Sequence, residues 1–383
     1  MKKRYILIIL ILAILLLVSY TLDKYTIKPV INENNPDFIN VPQGFKVEIF
    51  YDHLGDSKIS FPGPSSGVRM MLFNQDTVFA AVMKGGYIVA LEDKNKNSKV
   101  ENSKIFISNL KNPHSIDYYN GYYYIAEEDK IIRVRDENND NIADLETVEK
   151  LLDLPSGAGH FTRTIKIINN KMYVSVGSSC NVCYETNYTR ASIQECNLDG
   201  TNCSTFAHGL RNAVDFAYYD SQIYATENSR DRLNNDLPPD EINIIEKNKD
   251  YGWPLCYGDK IHDYDFDQSL YILNPCEKTQ PSFVDLQAHS APLGLAFYQG
   301  DKFPQEYKGK LFVAYHGSWN RDTPTGYKVV MIDTQTKEVS DFATGWLDES
   351  YNVKGRPVGI TNFRDSLLIS DDSTGKIYRI YYE

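Results

Sequence analysis

The sequence predicts an all-β chain folded as a six-bladed β-propeller, and three observations carry that prediction. A short strand recurs six times, as VFAA, YYIA, MYVS, IYAT, LFVA and LLIS, with its bulky second residue at Phe79, Tyr124, Tyr173, Tyr224, Phe312 and Leu368. The successive spacings are 45, 49, 51, 88 and 56 residues, close to the length of a four-stranded blade. Nothing in the body of the chain sustains a 3.6-residue apolar period, and the 28 tyrosines favour strands. A sandwich would not repeat one motif six times, and a β-helix would repeat at a far shorter period.

At the N-terminus, three basic residues precede eighteen uncharged positions, Tyr5 to Leu22. Roughly 17–25 such residues span a bilayer. Residues 1–22 therefore read as a signal peptide or a membrane anchor with Lys2, Lys3 and Arg4 in the cytoplasm. Either reading exports the remainder of the chain. Residues 23–40 are polar and unpatterned and read as a tether, and 41–383 form the propeller. A net charge of −11 with no basic stripe argues against nucleic acid as a partner.

Several copies of the repeat continue into a second strand, as in GYIVAL, KIIRVR and GKIYRIYY. The 88-residue gap holds an insertion rich in turn residues that includes Cys256 and Cys276. The six cysteines fall into three close pairs, Cys180/Cys183, Cys196/Cys203 and Cys256/Cys276, although six permit fifteen pairings. Export makes disulfides the default. A zinc site from Cys180, Cys183, Cys196 and Cys203 is the competing reading. The stretch DENNDNIAD spaces oxygens at Asp136, Asn138, Asp140 and Asp144 in the manner of a calcium loop, without the glycine and final glutamate of an EF-hand. It also reads as an ordinary hairpin connection, like the similar EDKNKNSKV.

Residues at one offset in every blade gather on one face of the ring. Ten to thirteen positions before the anchors stand Arg69, Asn112 and His114, His160 and Arg163, Arg211 and Asn212, and Arg356. His289 and Ser290 hold the comparable place in the fifth copy. So many cations at one level predict a positive channel mouth and an anionic ligand. Other histidines read as structural: His114 as a partner of a neighbouring blade's backbone, and His53, His208 and His262 as surface residues. His316 is open to either reading. Asp371 and Asp372 of SDDSTG read as a turn between strands.

GAGHFTRT, GLRNAVDFAY, ATENSRD, LPPDEINII, DYGWPLCYG, HSAPLGLAFY, HGSWNR and GRPVGI, in this order from about Val41 onward, resemble the pyrroloquinoline-quinone-dependent sugar dehydrogenases, most nearly the sorbosone-dehydrogenase-like or soluble aldose dehydrogenase branch. The resemblance implies a six-bladed propeller that oxidises an aldose or polyol, with pyrroloquinoline quinone and Ca²⁺ as cofactors. It implies His160 as the base and Arg211 with Asn212 as residues that hold the quinone. Asn228 would stand at the calcium, with Ser229 and Arg230 offering backbone carbonyls. Arg356 would bind a cofactor carboxylate, and Trp319, Arg321, Arg163 and Arg69 would be further cofactor contacts. Electrons would leave to a cytochrome or a membrane quinone. Glucose-oxidising members carry a carboxylate that orients the histidine, where this chain has Ser178, and Arg230 replaces a small or rigid residue. Two rival readings are a calcium-dependent lactonase and a non-enzymatic propeller that binds carbohydrate or protein.

Overall fold

The computed structural model describes residues 36–52, 54 and 67–383. The hydrophobic segment, most of the tether and His53 lie outside the described residues. Among those described, no helix is long and apolar enough to cross a membrane.

Six antiparallel sheets of four principal strands make the six blades. The innermost strands are Val68–Asn74, Ser115–Tyr119, Ile165–Ile168, Ala213–Tyr219, Pro292–Phe297 and Pro357–Phe363, and each touches the next around a closed ring. The recurring motif is the second strand of every blade: Thr77–Val82, Tyr122–Ala126, Lys171–Val176, Gln222–Glu227, Leu311–Tyr315 and Ser366–Asp371. Such a strand is covered on both faces by neighbouring blades, so its residues are apolar on both sides instead of alternating. Thr77–Val82, Leu311–Tyr315 and Ser366–Asp371 are buried at every position.

The ring closes through the N-terminus. Phe45–Tyr51 pairs antiparallel with Lys376–Tyr382, from Phe45 opposite Tyr382 to Tyr51 opposite Ile377, and so supplies the outer strand of blade 6. The packed body begins earlier than the sequence indicates. Ile39 is buried and Asn40 bridges to Thr344, so residues 36–40 belong to the body and not to the tether.

Each inner strand runs away from one face of the ring and each second strand returns to it, so the segments before the first and after the second open on that face. In blades 1, 4, 5 and 6 the register slips near the start of the inner strand, between Val68 and Met71, Ala213 and Phe216, Pro292 and Leu295, and Pro357 and Ile360. A bulge there re-aims the side chains around it toward the channel.

The cysteines pair as the close pairs suggest: Cys180–Cys183, Cys196–Cys203 and Cys256–Cys276. That removes the four-cysteine zinc reading, since all four of its sulfurs are in disulfides. The DENNDNIAD loop joins the third and outer strands of blade 2 on the far face. Asp136 accepts from the amides of Asp140 and Asn141, Asn138 Oδ1 from Asp140 N, Asp140 from Ile142 N and Asp144 from Glu137 N. Asp93, Asn95 and Asn97 do the same in blade 1. Both are hairpin connections whose side-chain oxygens serve their own backbone.

Candidate functional site

The histidine of GAGH sits where two glycines leave room for it. At Gly159, with φ of +66°, a Cβ would stand 2.3 Å from Ser178 O. At Gly177 it would stand 2.6 Å from the Cβ of His160. Both close approaches demand glycine. His160 N donates to Ser178 O at 2.9 Å, which hooks the loop over the end of the second strand of blade 3. Its Nδ1 lies 3.0 Å from Ser178 Oγ, whose own hydrogen goes to Cys180 O at 2.7 Å. The hydroxyl can therefore only accept from the ring, so Nδ1 carries the proton and Nε2 keeps its lone pair. Burial, and then the charge of Arg211, push this imidazole down to about 3.

His160 lines a cavity of about 680 Å³ at the channel mouth. Blades 1, 4, 5 and 6 bring Arg69, Arg211 with Asn212, His289, and Arg356 to the same cavity. A recess of about 620 Å³ on the far face, between blades 1 and 2, is lined by hairpin side chains and holds no histidine.

Two unlike walls face each other across the mouth. On one, Arg69 Nη1 donates to Asp372 Oδ2 and His316 Nε2 to Asp372 Oδ1, both at 2.9 Å. Arg356 lies beside His316 Nδ1 at 3.4 Å and over the Tyr327 ring at 4.8 Å. Against burial, the hydrogen bond and proximity of His316, with Arg69 and Arg356, hold Asp372 down at about 2. On the other wall are oxygens. Asp240 accepts from Ser229 N and Ala291 N, and burial lifts it to about 7. Asn228 commits Nδ2 to Pro292 O at 2.6 Å, and among the described residues no hydrogen bond engages its Oδ1. Asp231 and Ser229 complete this side.

Arg211 stands between the walls with all five N–H groups engaged. They go to Asn181 O, Asn181 Oδ1, Asn228 O, Ser229 O and Asp231 Oδ2, at 2.8–3.0 Å. It contributes charge and a planar face to the cavity, and no free donor. Asn212 is held by Glu227 and Thr162, its N donating to Glu227 Oε1 and its Oδ1 accepting from Thr162 Oγ1.

Two arginines expected to reach the mouth by their side chains are elsewhere, and Arg230 is expected there only through its backbone carbonyl. Arg163 is wholly buried and donates to the carbonyls of His160, Thr162 and Pro155, so it stiffens the loop that carries the histidine. Arg321 turns outward to Asp236 and Ala288 O. The side chain of Arg230 turns to Asp263 and Asp265 in the insertion. His262 is a further correction: it is buried and paired with Asp267 at 3.1 Å, because the Cys256–Cys276 insertion folds around it. His114 does bond the next blade, through Arg163 O, and touches Arg69 from below.

The sequence reading missed Asp372, Asp231, Asp240 and Asn320. Asp371 behaves as expected, accepting from Ser373 N and Thr374 N, while its neighbour Asp372 points into the mouth. Asn320 lines the cavity, and both atoms of its amide are buried without a protein partner. An orphaned amide beside paired arginines suits a ligand that both donates and accepts. A tricarboxylate fits the arginine wall, and a hard cation fits Asn228 Oδ1, whereas Ser229 O and Asp231 Oδ2 already accept from Arg211.

A family model described as TrAA12-like matches residues 66–383. An uncharacterised protein of Borreliella burgdorferi is 35% identical over 366 residues, covering 90% of this chain and 91% of that one. The pyrroloquinoline quinone-dependent pyranose dehydrogenase of Coprinopsis cinerea is 25% identical over 359 residues, covering 74% of this chain. This chain spans about half, 48%, of that relative's length. The calcium structure of the Trichoderma reesei carbohydrate-active enzyme of family AA12 superposes with a TM-score of 0.75 at 19% identity, over 90% of this chain and 97% of that one. At that identity the likeness concerns the fold, and it agrees with the six-bladed ring.

Proposed function

The chain belongs to the TrAA12-like family, and from that premise we propose that it oxidises a hydroxyl of an aldose or polyol, with pyrroloquinoline quinone and Ca²⁺ as cofactors and His160 as the base. The observation that carries this reading is a neutral imidazole with a free Nε2 on the rim of a cavity walled by arginines on one side and oxygens on the other. A pyranose dehydrogenase among the relatives supports the substrate class.

In this reading Arg69 and Arg356 hold cofactor carboxylates, and Asn320 and Asn212 offer amides to the ring system. Asn228 Oδ1 would hold the cation, with the carbonyl of Ser229, which also accepts from Arg211, as a second oxygen beside it. The bound quinone supplies an acceptor for hydride, and the cation polarises it as a Lewis acid. The chain's own work is to seat the sugar with its hydroxyl at His160 Nε2 and to take the hydroxyl proton there. Arg211 lines the site, where its charge would favour negative charge on a bound acceptor. Trp319, 63% exposed at the cavity edge, is placed to meet a sugar face. Electrons pass on to a cytochrome or a membrane quinone. Three disulfides suit an oxidising compartment outside the cytoplasm, with residues 1–22 as anchor or cleaved signal. Within the family we place the chain on the sorbosone-dehydrogenase-like side.

The test is a titration of the protein with pyrroloquinoline quinone, with and without Ca²⁺, read by cofactor absorbance and by dye reduction across a panel of pyranoses and polyols. Calcium-dependent saturation with sugar-driven dye reduction is expected. Saturation in neither condition would leave the mouth as a binding surface and give the non-enzymatic reading the lead.

A further inference from the structure

We infer that the Ser178–Cys183 turn is the positioning device of the mouth, holding His160 and Arg211 in one register, with the Cys180–Cys183 disulfide keeping it closed. The inference rests on the proposed oxidation, and deepens it by naming what aligns the base with the charge beside it.

The turn leaves the second strand of blade 3 at the mouth and reaches both groups within four residues. Ser178 receives the Nδ1 hydrogen of His160 and passes its own to the carbonyl of Cys180, a disulfide-bonded residue. The alternative acceptor for Nδ1, Ser178 O at 3.3 Å, already takes His160 N and lies 3.4 Å from Arg190 Nη1. The hydroxyl is thus the acceptor with capacity to spare.

Asn181 lies inside the disulfide loop and serves the other group. Its Oδ1 accepts from Arg211 Nη2 and from Asp231 N, each at 2.8 Å, and its Nδ2 donates to Asp231 O at 3.0 Å. Its backbone oxygen accepts from Arg211 Nε at 2.8 Å and from Trp253 Nε1 at 3.3 Å. Two of the five bonds of Arg211 therefore come from Asn181, and the same side chain ties down the Asn228–Asp231 loop that carries the cavity's oxygens. Glu185 fastens the turn from the far side through Ser179 N and Oγ. A two-residue disulfide loop restricts the backbone of Asn181, so opening it would loosen both contacts together.

The experiment compares Ser178→Ala, Ser178→Thr, Asn181→Ala and the double Cys180→Ala/Cys183→Ala variant. Each is measured for kcat and KM per bound cofactor, for cofactor Kd, and for the ¹⁵N shifts of the His160 ring in the cofactor-free protein, assigned by their absence in His160→Gln. Ser178→Ala should lower kcat roughly ten- to a hundredfold with KM and cofactor Kd within about twofold. Ser178→Thr should restore most of it. Asn181→Ala should weaken cofactor binding about tenfold, and the double cysteine variant should show both losses. Unchanged kcat per bound cofactor in Ser178→Ala and in the cysteine variant would overturn the inference, leaving the disulfide as a stabiliser of the fold. Should the parent protein turn over no sugar, the proposed oxidation fails, yet the ring shifts still decide this point. A His160 Nδ1 resonance moved by Ser178→Ala and returned by Ser178→Thr upholds the coupling, and an unmoved one rejects it.

Discussion

An imidazole pushed down to about 3 is neutral throughout the physiological range, so His160 can take a proton and has none to lose from Nε2. Replacing it with alanine should lower kcat about 10²–10⁴-fold, the span general-base catalysis supplies, while the cofactor still binds. Retained turnover would sink the assignment. The sign of the pH effect is set by the direction of the shift. A base with a lowered value fails only as pH falls through that value, so in the cofactor-free protein the ring should stay unprotonated at pH 5, where an ordinary histidine is mostly charged. Ring NMR reads this directly, and an anionic ligand in the mouth should move the titration upward. Residues of this kind were partly legible. His160 and Arg356 declared themselves as a histidine and an arginine at blade starts. Asp372 did not, because adjacent aspartates read as one turn, and the chain then sends Asp371 to the backbone and its neighbour into the channel. In SWNR the arginine drew attention, yet it reaches outward to Asp236 and leaves Asn320 at the cavity.

Six second strands were legible as elements because burial on both faces forces the same bulky run into each blade. The strand that closes the ring was not. Phe45–Tyr51 pairs with residues more than three hundred positions away, and no local pattern marks that partner. Its anchor is Phe45, whose ring meets those of Phe303, Tyr307, Phe342 and Tyr382 at centroid distances of 4.7–5.1 Å. Phe45→Ala empties a buried aromatic site and should cost about 3–5 kcal/mol. The loss should appear as a lower denaturant midpoint, because the strand is the latch between first and last blades. A change below about 1 kcal/mol would mean that the ring stays closed without the latch. Equally hidden was the reach of the insertion after Ile245, whose cysteines were visible but whose folding around His262 depends on contacts within the segment.

At the scale of the whole molecule, a ring packed blade against blade buries carboxylates whose loss of hydration outweighs any nearby cation, and their protons set how stability varies with pH. Burial lifts Glu241 and Asp371 to about 7 and Glu227 well above its usual range. In the folded state these groups keep protons that the unfolded chain releases near pH 4. Their contribution is full below about pH 4 and is lost progressively from there as pH rises through about 7. His114 and His160 shift the other way, so their contribution is full above about 6.5 and is lost as pH falls. Asp372, held at about 2, adds to the loss on the acid side. The two sets oppose each other below 6.5, and above it the carboxylates act alone, with a net charge of −11 in the same direction. With Asp240 also lifted to about 7, the raised acids outnumber the two histidines. The cofactor-free, calcium-free protein should therefore be most stable between about pH 4 and 5, and its Tm should fall as pH rises from there to about 8. Glu241→Gln tests the cause. The amide can still accept from Gly258 N, and a flip of Asn243, whose Oδ1 has no partner, would receive its new N–H. That variant should keep the parent's Tm at about pH 4 and lose less of it as pH rises to about 8. If parent and variant instead declined in parallel, the fall would belong to the surface charge and not to the buried acids.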